Sequence, residues 1–379
     1  MKIIQLVTQM EAGGAQRVAY LLKNEFEQRG YDSSLWFLYT KRPAYARLPR
    51  VYSLLDHPPS LVDYFRVFIR LVRLIFTERP DVLITHTHYA NVLGHVLSTL
   101  LCVRNRIAVQ HNPTHTYPRA ARIADRLVGT IGVYSRNVAV CRTVTDSISH
   151  YPHTYRKRVA TVFNGIPEPA PGAPRDKTRQ RWNIPLEVRL LVNVGRFSLQ
   201  KNQEFLIRLI QGDINLHLLL VGDGELRGSI QSLAAQLRVI DRVHFTGEVN
   251  SDDVCSLISA GDIFVLPSRY EAASIALLEA MMLGIPIISN DIPSTQEFLA
   301  GDGVLVDTAF PEKWLAMIRV LLDRPNMATE MADCARRRAQ RFTVPRMADA
   351  YEELLVPTGP VLPKGLQTSR EIGAQKVSR

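Results

Sequence analysis

The sequence of 379 residues has few of the features that mark secreted proteins, membrane-spanning proteins or proteins stabilised by a structural metal. Its four cysteines, Cys102, Cys141, Cys255 and Cys334, are widely scattered, and no pair has the spacing of a metal or redox motif. No apolar run approaches the ~20 residues that a membrane-spanning helix needs. The apolar residues 1–7 are too few for a secretion signal. We therefore expect free thiols and a cytoplasmic protein, peripheral on the inner face of the plasma membrane.

The first half of the chain is also poor in acidic residues. Residues 1–165 carry 22 Lys and Arg against 10 Asp and Glu, a net charge of +12, whereas residues 166–379 carry 24 against 26. This asymmetry predicts an anionic partner for the basic half, either a nucleic acid or a membrane surface. A solvated basic face without a partner is the alternative.

Short apolar runs alternate with helical patterns, which predicts parallel sheets covered by helices on both faces. A first series of strands is predicted at residues 3–8, 33–38, 82–85, 107–110, 137–141 and 159–163. A second series is predicted at residues 190–194, 216–221, 243–246, 263–266, 286–289 and 304–306. We therefore predict an α/β protein of two Rossmann-like, doubly wound domains that face a central cleft.

The break between the two series is marked by proline. Residues 166–174 hold four prolines in nine positions, too many for a helix or a central strand. We predict a first domain at residues 1–166, a linker at 167–180 and a second domain at 181–342. Residues 343–356 are expected to form a helix that packs back on the first domain, and 357–379 to be disordered.

Two loops that follow predicted strands are suited to binding phosphate, because ligands of doubly wound sheets lie beyond the carboxyl ends of strands. Gly13 and Gly14 precede a helix, so backbone can approach a ligand closely and free N–H groups can face an anion. Arg196 and Lys201 can neutralise a leaving diphosphate without a metal. A plain strand–helix turn and a pair of solvated charges are the alternatives.

Two glutamates flank the start of an almost wholly apolar predicted helix. Ser274 is a suitable N-cap for this helix. Glu271 precedes the cap in a loop, and Glu279 lies in the second turn. A carboxylate on a buried helix is costly unless a partner accepts it, and ligand hydroxyls are good partners. A buried salt bridge to Arg196 or Lys201 is the alternative.

Histidines follow two predicted strand ends in the first half. His86 and His88 follow one strand, and His111 and His115 follow another. Because no carboxylate lies beside them, we expect no metal site. His111 comes directly after its strand and is the best candidate to line the cleft.

The segment 64–76 combines arginine with apolar residues. Arg66, Arg70 and Arg73 share one stripe of the predicted helix. A basic amphipathic helix of this kind is typical of anionic membrane surfaces. A helix packed on its sheet with the arginines outward is the alternative.

Together these motifs resemble the family 4 retaining glycosyltransferases, which have the two-domain GT-B fold. The resemblance runs from Gly13 to about Tyr351. It is strongest at the glutamates eight residues apart in Pro-Ser-Arg-Tyr-Glu…Leu-Leu-Glu-Ala-Met-Met-Leu-Gly. Also similar are Asn-Val-Gly-Arg-Phe…Lys-Asn, Val-Gly-Asp-Gly-Glu, Phe-Thr-Gly-Glu-Val and Phe-Asn-Gly-Ile. Each motif is weak alone, but their order and spacing are specific.

The resemblance implies roles for individual residues. Arg196 and Lys201 would hold the donor diphosphate, and Glu271 and His111 would contact the transferred sugar. The remaining donor-binding residues would be Gly13 and Gly14 against the phosphates, Ser274 with its N–H near phosphate, Glu279 at the ribose, and Gly222 and Gly247 near the base.

The resemblance further implies a retaining hexosyltransferase of bacterial surface-polysaccharide synthesis that needs no metal and no cofactor. The donor would be a nucleoside diphosphate sugar, UDP favoured over GDP. The acceptor would be a glycan or a polyprenyl-diphosphate-linked glycan at an anionic membrane, which explains the basic first half better than nucleic acid does. One departure stands out: Glu271-Ala272-Ala273-Ser274 replaces the family's frequent Glu-Gly-Phe-Gly, so the donor sugar does not carry over.

Three other classes remain as alternatives at this point. A nucleotide-binding oxidoreductase is disfavoured because the chain lacks G-x-G-x-x-G followed by a ribose-binding acid. A phosphorylase-like enzyme shares the fold and would need a lysine that carries pyridoxal phosphate. A basic nucleic-acid-binding or membrane-binding protein is favoured by the charge alone.

Overall fold

The computed structural model describes residues 1–169 and 172–355, and its first half forms one parallel sheet with its helices. The strands are β1 (Lys2–Met10), β2 (Asp32–Thr40), β3 (Val51–Ser53), β4 (Val82–His86), β5 (Asn105–Gln110), β6 (Arg136–Ala139) and β7 (Val159–Thr161). The helices are α1 (Gly14–Gln28), α2 (Leu61–Glu78), α3 (His88–Leu100), α4 (Arg119–Thr130), α5 (Arg142–Ser147) and α6 (His153–Arg156). The spatial order of the strands is β3-β2-β1-β4-β5-β6-β7.

The second half forms another parallel sheet. Its strands are β8 (Arg189–Val194), β9 (Leu216–Val221), β10 (Val243–Gly247), β11 (Ile263–Leu266), β12 (Ile287–Ser289) and β13 (Val304–Leu305), in the order β10-β9-β8-β11-β12-β13. Its helices are α7 (Arg175–Arg181), α8 (Gln203–Gln211), α9 (Arg227–Gln236), α10 (Ser251–Ser259), α11 (Ile275–Leu283), α12 (Pro293–Leu299), α13 (Pro311–Asp323), α14 (Pro325–Ala339) and α15 (Val344–Leu355).

The predicted fold class of two doubly wound parallel sheets is confirmed. Every predicted strand is present. Most of them, such as β1, β8 and β11, are apolar runs that are buried on both faces of their sheet. The short edge strand β3 was not predicted. Only its first residue, Val51, is buried, so three residues with an exposed Tyr52 carry too little pattern to be recognised.

Helix α11 is buried on all sides, and its eight residues from Ile275 to Met282 are all at most 9% exposed. The helix starts after Ser274 and ends at Gly284, which adopts the left-handed conformation with φ of 66°. Glycine is the residue that reaches this conformation without steric cost. The start that the sequence predicts for this helix, with Ser274 at the N-cap position, agrees with the structure.

The chain crosses between the two sheets at two neighbouring points. The N–H of Ile166 donates to the carbonyl of Phe342 at 3.0 Å, and the N–H of Val344 donates back to Ile166 at 3.2 Å. The crossings lie so close together that a Cβ built on Gly165 would come within 2.3 Å of the carbonyl oxygen of Thr343. The outward and the returning chain therefore form one short parallel bridge.

The segments beside these crossings pack on different domains. Helix α7 begins at Arg175, inside the expected linker 167–180, and its buried Arg179 donates to Asp262 at 3.1 Å. Helix α15 returns to α1, where Arg29 donates to Asp349 and Glu352. The expected disordered tail, 357–379, lies outside the described residues. No helix within the described ranges has the length and apolar character needed to cross a bilayer.

Candidate active site

A cavity of about 530 Å³ lies between the two domains, where the carboxyl ends of both sets of strands meet. Loops that follow β1, β5, β8, β9 and β11 contribute to its wall. Nine of the ten predicted site residues line it: Gly13, Gly14, His111, Arg196, Lys201, Gly222, Glu271, Ser274 and Glu279. The tenth, Gly247, lies beside the wall, where its carbonyl accepts the N–H of Gly222 at 3.0 Å.

Two helices point their N-termini into this cavity from opposite domains. Helix α1 begins at Gly14, and a Cβ built there would lie 3.7 Å from Cγ1 of Ile275, the first residue of α11. Neither first turn holds an acidic side chain. The free N–H groups of both helices can therefore face one shared anion.

Lys201 and Glu271 form a salt bridge at the cavity wall. The ammonium Nζ lies 2.6 Å from Glu271 Oε1, and the two side chains are only 17% and 6% exposed. The alternative interpretation of Glu271 as the partner of a lysine is therefore realised in this structure. A bound ligand that takes a hydrogen bond from Lys201 would also reach Glu271.

Arg196 lies at the cavity mouth between carboxylates of both domains. Its Nε donates to Glu225 at 3.1 Å, and its Nη1 lies 3.7 Å from Glu11 of the first domain. A backbone N–H and the charge of Arg196 lower the pKa of Glu225. Like Lys201, Arg196 already has an anionic partner, which a diphosphate would have to replace.

Glu279 pairs with a residue that the sequence analysis missed. Nη1 of Arg17, on the second turn of α1, lies 2.6 Å from Glu279 Oε1, across the cleft. Burial raises the pKa of Glu279, and the guanidinium of Arg17 opposes that effect. The only signal in the sequence is a cation one turn beyond the glycine pair Gly13-Gly14, which many helices share.

Ser274 occupies the N-cap position of α11 but does not cap it. Its backbone is extended, yet its side chain makes no capping hydrogen bond. Its buried Oγ has no hydrogen-bond partner among the residues that the structure describes. A hydroxyl left unsatisfied in a cavity wall is available to a ligand.

Gly222 holds the loops after β8 and β9 together. Its φ is 128°, and a Cβ there would lie 2.3 Å from the carbonyl oxygen of Gly195. Any other residue would meet both backbone strain and a clash with backbone. The requirement for glycine therefore comes from packing between two loops of the cavity floor.

His111 lies at the end of a chain of hydrogen bonds that leads to the buried His86 and Gln5. Its Nε2 lies 2.9 Å from Nδ1 of His86, and Nε2 of His86 lies 2.7 Å from Oε1 of Gln5. Burial lowers the pKa of His111 to about 4 and the pKa of His86 well below its usual value, so both are neutral near pH 7. Since the Gln5 oxygen only accepts, His86 donates to it, and His111 donates to His86. Nδ1 of His111 is then left as an acceptor.

The other two histidines of the predicted cluster have different positions. His88 packs against Tyr117, and burial lowers its pKa. His115 is exposed. Within the described residues, no group of three or more His, Cys, Asp and Glu side chains could hold a metal ion.

The two sheets and the cavity between their carboxyl ends define the GT-B architecture of glycosyltransferases. Residues 12–168 match the family described as Glycosyltransferase Family 4, and residues 174–338 match the family described as Glycosyl transferases group 1. The chain therefore belongs to glycosyltransferase family 4, and it is a glycosyltransferase of a family that uses nucleotide-sugar donors.

Similar proteins come from several bacteria. The chain is 23% identical over 356 residues to an uncharacterized glycosyltransferase of Haemophilus influenzae, which covers 91% of this chain and 96% of that protein. It is 28% identical over 229 residues to the lipopolysaccharide core biosynthesis glycosyltransferase LpsE of Rhizobium meliloti, covering 59% and 65% of the two chains. The crystal structure of Anabaena HepE in complex with UDP and glucose superposes with a TM-score of 0.82 at 19% identity, covering 94% and 99%.

Proposed function

We propose that this glycosyltransferase transfers a hexosyl unit, with retention of configuration, from a nucleoside diphosphate sugar in which UDP is favoured. The observation that carries the proposal is that one cavity contains both groups that bind phosphate and carboxylates that bind hydroxyls. Arg196, Lys201 and two helix N-termini suit a diphosphate. Glu271 and Glu279 suit the hydroxyls of a sugar and a ribose. The HepE complex with UDP and glucose supports a donor of this class.

The proposed reaction is a substitution on one face of the sugar. The bond between the anomeric carbon and the diphosphate oxygen breaks as the acceptor oxygen bonds to the same carbon. The departing diphosphate takes the acceptor proton, so neither a protein base nor a metal is required. Arg196, Lys201 and the start of α11 stabilise the negative charge that grows on the diphosphate.

Donor binding would exchange partners within the cavity. A diphosphate offers Arg196 and Lys201 oxygens in place of those of Glu225 and Glu271, with which they are paired. Glu271 would then accept hydroxyl hydrogens of the transferred sugar, and Nδ1 of His111 would accept one from the opposite side. Glu279 would turn from Arg17 to the ribose. Gly222 and Gly247 would flank the base.

The proposed acceptor is a glycan or a polyprenyl-diphosphate-linked glycan in bacterial surface-polysaccharide synthesis. The net charge of +12 in residues 1–165 supports an anionic membrane as the partner of the first domain. The relative LpsE, which acts in lipopolysaccharide core biosynthesis, supports the same class of pathway.

The proposal is tested with a panel of UDP-, GDP- and ADP-sugars in a thermal-shift assay, followed by transfer assays with the donor that stabilises. The true donor should raise the unfolding temperature by mass action. Glu271→Gln should abolish transfer and leave the protein folded, whereas the matched control Glu204→Gln, an exposed glutamate of α8, should transfer normally. Stabilisation by no nucleotide sugar, or a wild-type rate in Glu271→Gln, would refute the assignment.

A further inference from the structure

Three helices of the first domain form one layer on the outside of the molecule. Successive connections β3–α2–β4, β4–α3–β5 and β5–α4–β6 all run in one direction across the sheet, whereas β1–α1–β2 runs in the other. Because such connections are right-handed, α2, α3 and α4 lie on the face opposite to α1. Helix α3 packs against both α2 and α4. We call these three helices, together with Ile131 at the end of α4, the outer layer.

The outer layer exposes large apolar side chains. They are Val62, Tyr64, Phe65, Phe68, Ile69 and Phe76 on α2, Tyr89, Val96 and Leu100 on α3, and Ile123, Leu127 and Ile131 on α4 and at its end. These are twelve of the 21 large apolar side chains that are exposed among the described residues. Exposed apolar residues in such density mark an interaction surface, since monomeric proteins rarely carry extended apolar patches.

Helix α2 packs on the sheet with its arginines outward, as in the alternative interpretation, but it also exposes apolar side chains. In the structure Val67, Leu71 and Leu74 face the sheet, while Phe65 is 67% exposed and Ile69 is 47% exposed. The helix is therefore apolar on two sides, and arginine accounts for only part of its outer face.

The free charges of the outer layer are all positive. Helix α3 contains no Asp, Glu, Lys or Arg. The acids of α2 and α4 are engaged: Asp63 pairs with Arg66 and Glu78 with Lys2, and Asp125 is buried among hydrogen-bond donors. Within the described residues no carboxylate pairs with the five other arginines of these helices, Arg70, Arg73, Arg119, Arg122 and Arg126.

We propose that the outer layer docks on an anionic phospholipid bilayer, with its arginines at the lipid phosphates and its apolar side chains below the headgroups. This combination fits a bilayer because arginine and apolar groups alternate over the same surface. A nucleic acid would leave the apolar side chains in water. The surface is independent of the proposed sugar transfer, but its use to meet a lipid-linked acceptor rests on that function.

The position of α4 connects the outer layer to the cavity. Only residues 111–118 separate the end of β5 from α4, and the first of them is His111, which lines the cavity. An acceptor held in the bilayer at α4 would therefore reach the cavity over a short distance.

The test is sedimentation of the whole protein with vesicles of phosphatidylcholine alone and of phosphatidylcholine with an equal amount of phosphatidylglycerol. Binding should require phosphatidylglycerol and weaken as salt rises. Arg73→Gln/Arg119→Gln should bind about 25-fold more weakly, about fivefold for each arginine. The matched control Arg324→Gln/Arg341→Gln, two exposed arginines of the second half, should bind like wild type.

Apolar contact is tested with a second matched pair. Ile131 and Ile214 are 77% and 79% exposed, but only Ile131 belongs to the outer layer. Ile131→Ser should release the protein from anionic vesicles, and Ile214→Ser should not. Equal unfolding temperatures of the two variants verify that both are folded.

Four results would overturn the proposal. Equal binding to both vesicle types, or equal loss in Ile131→Ser and Ile214→Ser, removes the role of the outer layer. A dimer that dissociates in Ile131→Ser, without any vesicle binding, assigns the surface to a second copy of the chain. A salt-sensitive gel shift with DNA or RNA, without vesicle binding, assigns it to nucleic acid. Vesicle binding without sugar transfer would refute the proposed function alone.

Discussion

The outer layer and the cleft use the same positive side chains in opposite ways. Arg73 and Arg119 of the outer layer are exposed among apolar residues, and no carboxylate pairs with them in the described part of the chain. In the cleft, Arg17, Arg196 and Lys201 each lie beside a glutamate. Unpaired cations attract any anionic surface, whereas paired cations favour a ligand that can replace their partners. Pairing, rather than net charge, separates the two regions.

The sharpest way to break this comparison is to remove a cleft cation. Arg196→Ala should reduce sugar transfer on the order of 10²–10³-fold, because the developing charge of the diphosphate loses a preorganised cation. Vesicle binding should be unchanged. The measurement is transfer to a water-soluble acceptor.

A matched change in the outer layer should have the reverse effect. Arg73→Gln should weaken vesicle binding and leave transfer to the soluble acceptor at the wild-type rate. If Arg73→Gln impairs that transfer as strongly as Arg196→Ala does, membrane binding and sugar transfer are not separate functions of the outer layer and the cleft.

The cross-cleft pair should have the next largest effect, on stability. Arg17→Met leaves the buried carboxylate of Glu279 without its cation, which should lower the free energy of unfolding by about 3–5 kcal/mol. Arg17→Met/Glu279→Gln should recover much of this loss, since the unpaired charge is gone. Urea unfolding of the two single variants and the double variant measures the coupling.

A surface pair provides the contrast. Arg208 and Glu204 lie 2.8 Å apart on α8 and are both more than half exposed. Arg208→Met should cost less than about 1 kcal/mol. Equal losses in Arg17→Met and Arg208→Met would show that burial of Glu279 does not govern the energy of its pair.

Acid should weaken both regions through one buried histidine each. His86 lies behind the cavity, and His95 lies inside α3 of the outer layer. Burial lowers the pKa of His95 to about 3 and the pKa of His86 well below 6.5. Their stabilisation is present above pH 6.5, where both states are neutral, and is lost as pH falls, because the unfolded chain binds the protons.

Each histidine should lower the free energy of unfolding by about 1 kcal/mol between pH 6.5 and 5.5, because the unfolded imidazole goes from half to almost fully protonated over this interval. Urea unfolding at these two pH values measures the summed change in the free energy of unfolding. In His95→Gln this change should be smaller by the contribution of one histidine. An unchanged pH dependence in His95→Gln would contradict the assignment of a neutral, buried His95.

Much of the fold and the cavity wall could be predicted because the signals are local. Strands such as β4 and β9 are short segments rich in Val, Ile and Leu, and parallel topology carries their following loops to one edge. Glu271, Ser274 and Glu279 lie within nine residues, so their common placement followed from one helix start. Gly247 shows the limit of such local prediction. It was expected in the site, but in the structure it contacts Gly222 and does not itself line the cavity.

Some contacts between distant segments could not be predicted. Arg17 and Glu279 are 262 residues apart, and nothing in either local pattern indicates the other. Which apolar side chains of α2 face outward could not be predicted either, for a different reason. An apolar side chain has the same periodicity whether it packs on a sheet or faces outward, so Phe65 and Leu71 look alike in sequence.

The paired crossings at Ile166 and Thr343 limit how the two domains can move. Bodies joined through a single strand can tilt, twist and slide. Two adjacent chain segments joined by reciprocal hydrogen bonds act instead as a hinge. The remaining motion is a rotation of one domain relative to the other about the axis through both crossings. The width of the cavity then depends on one angle. A single pair of spectroscopic labels, one on each domain, would therefore report the whole opening and closing cycle.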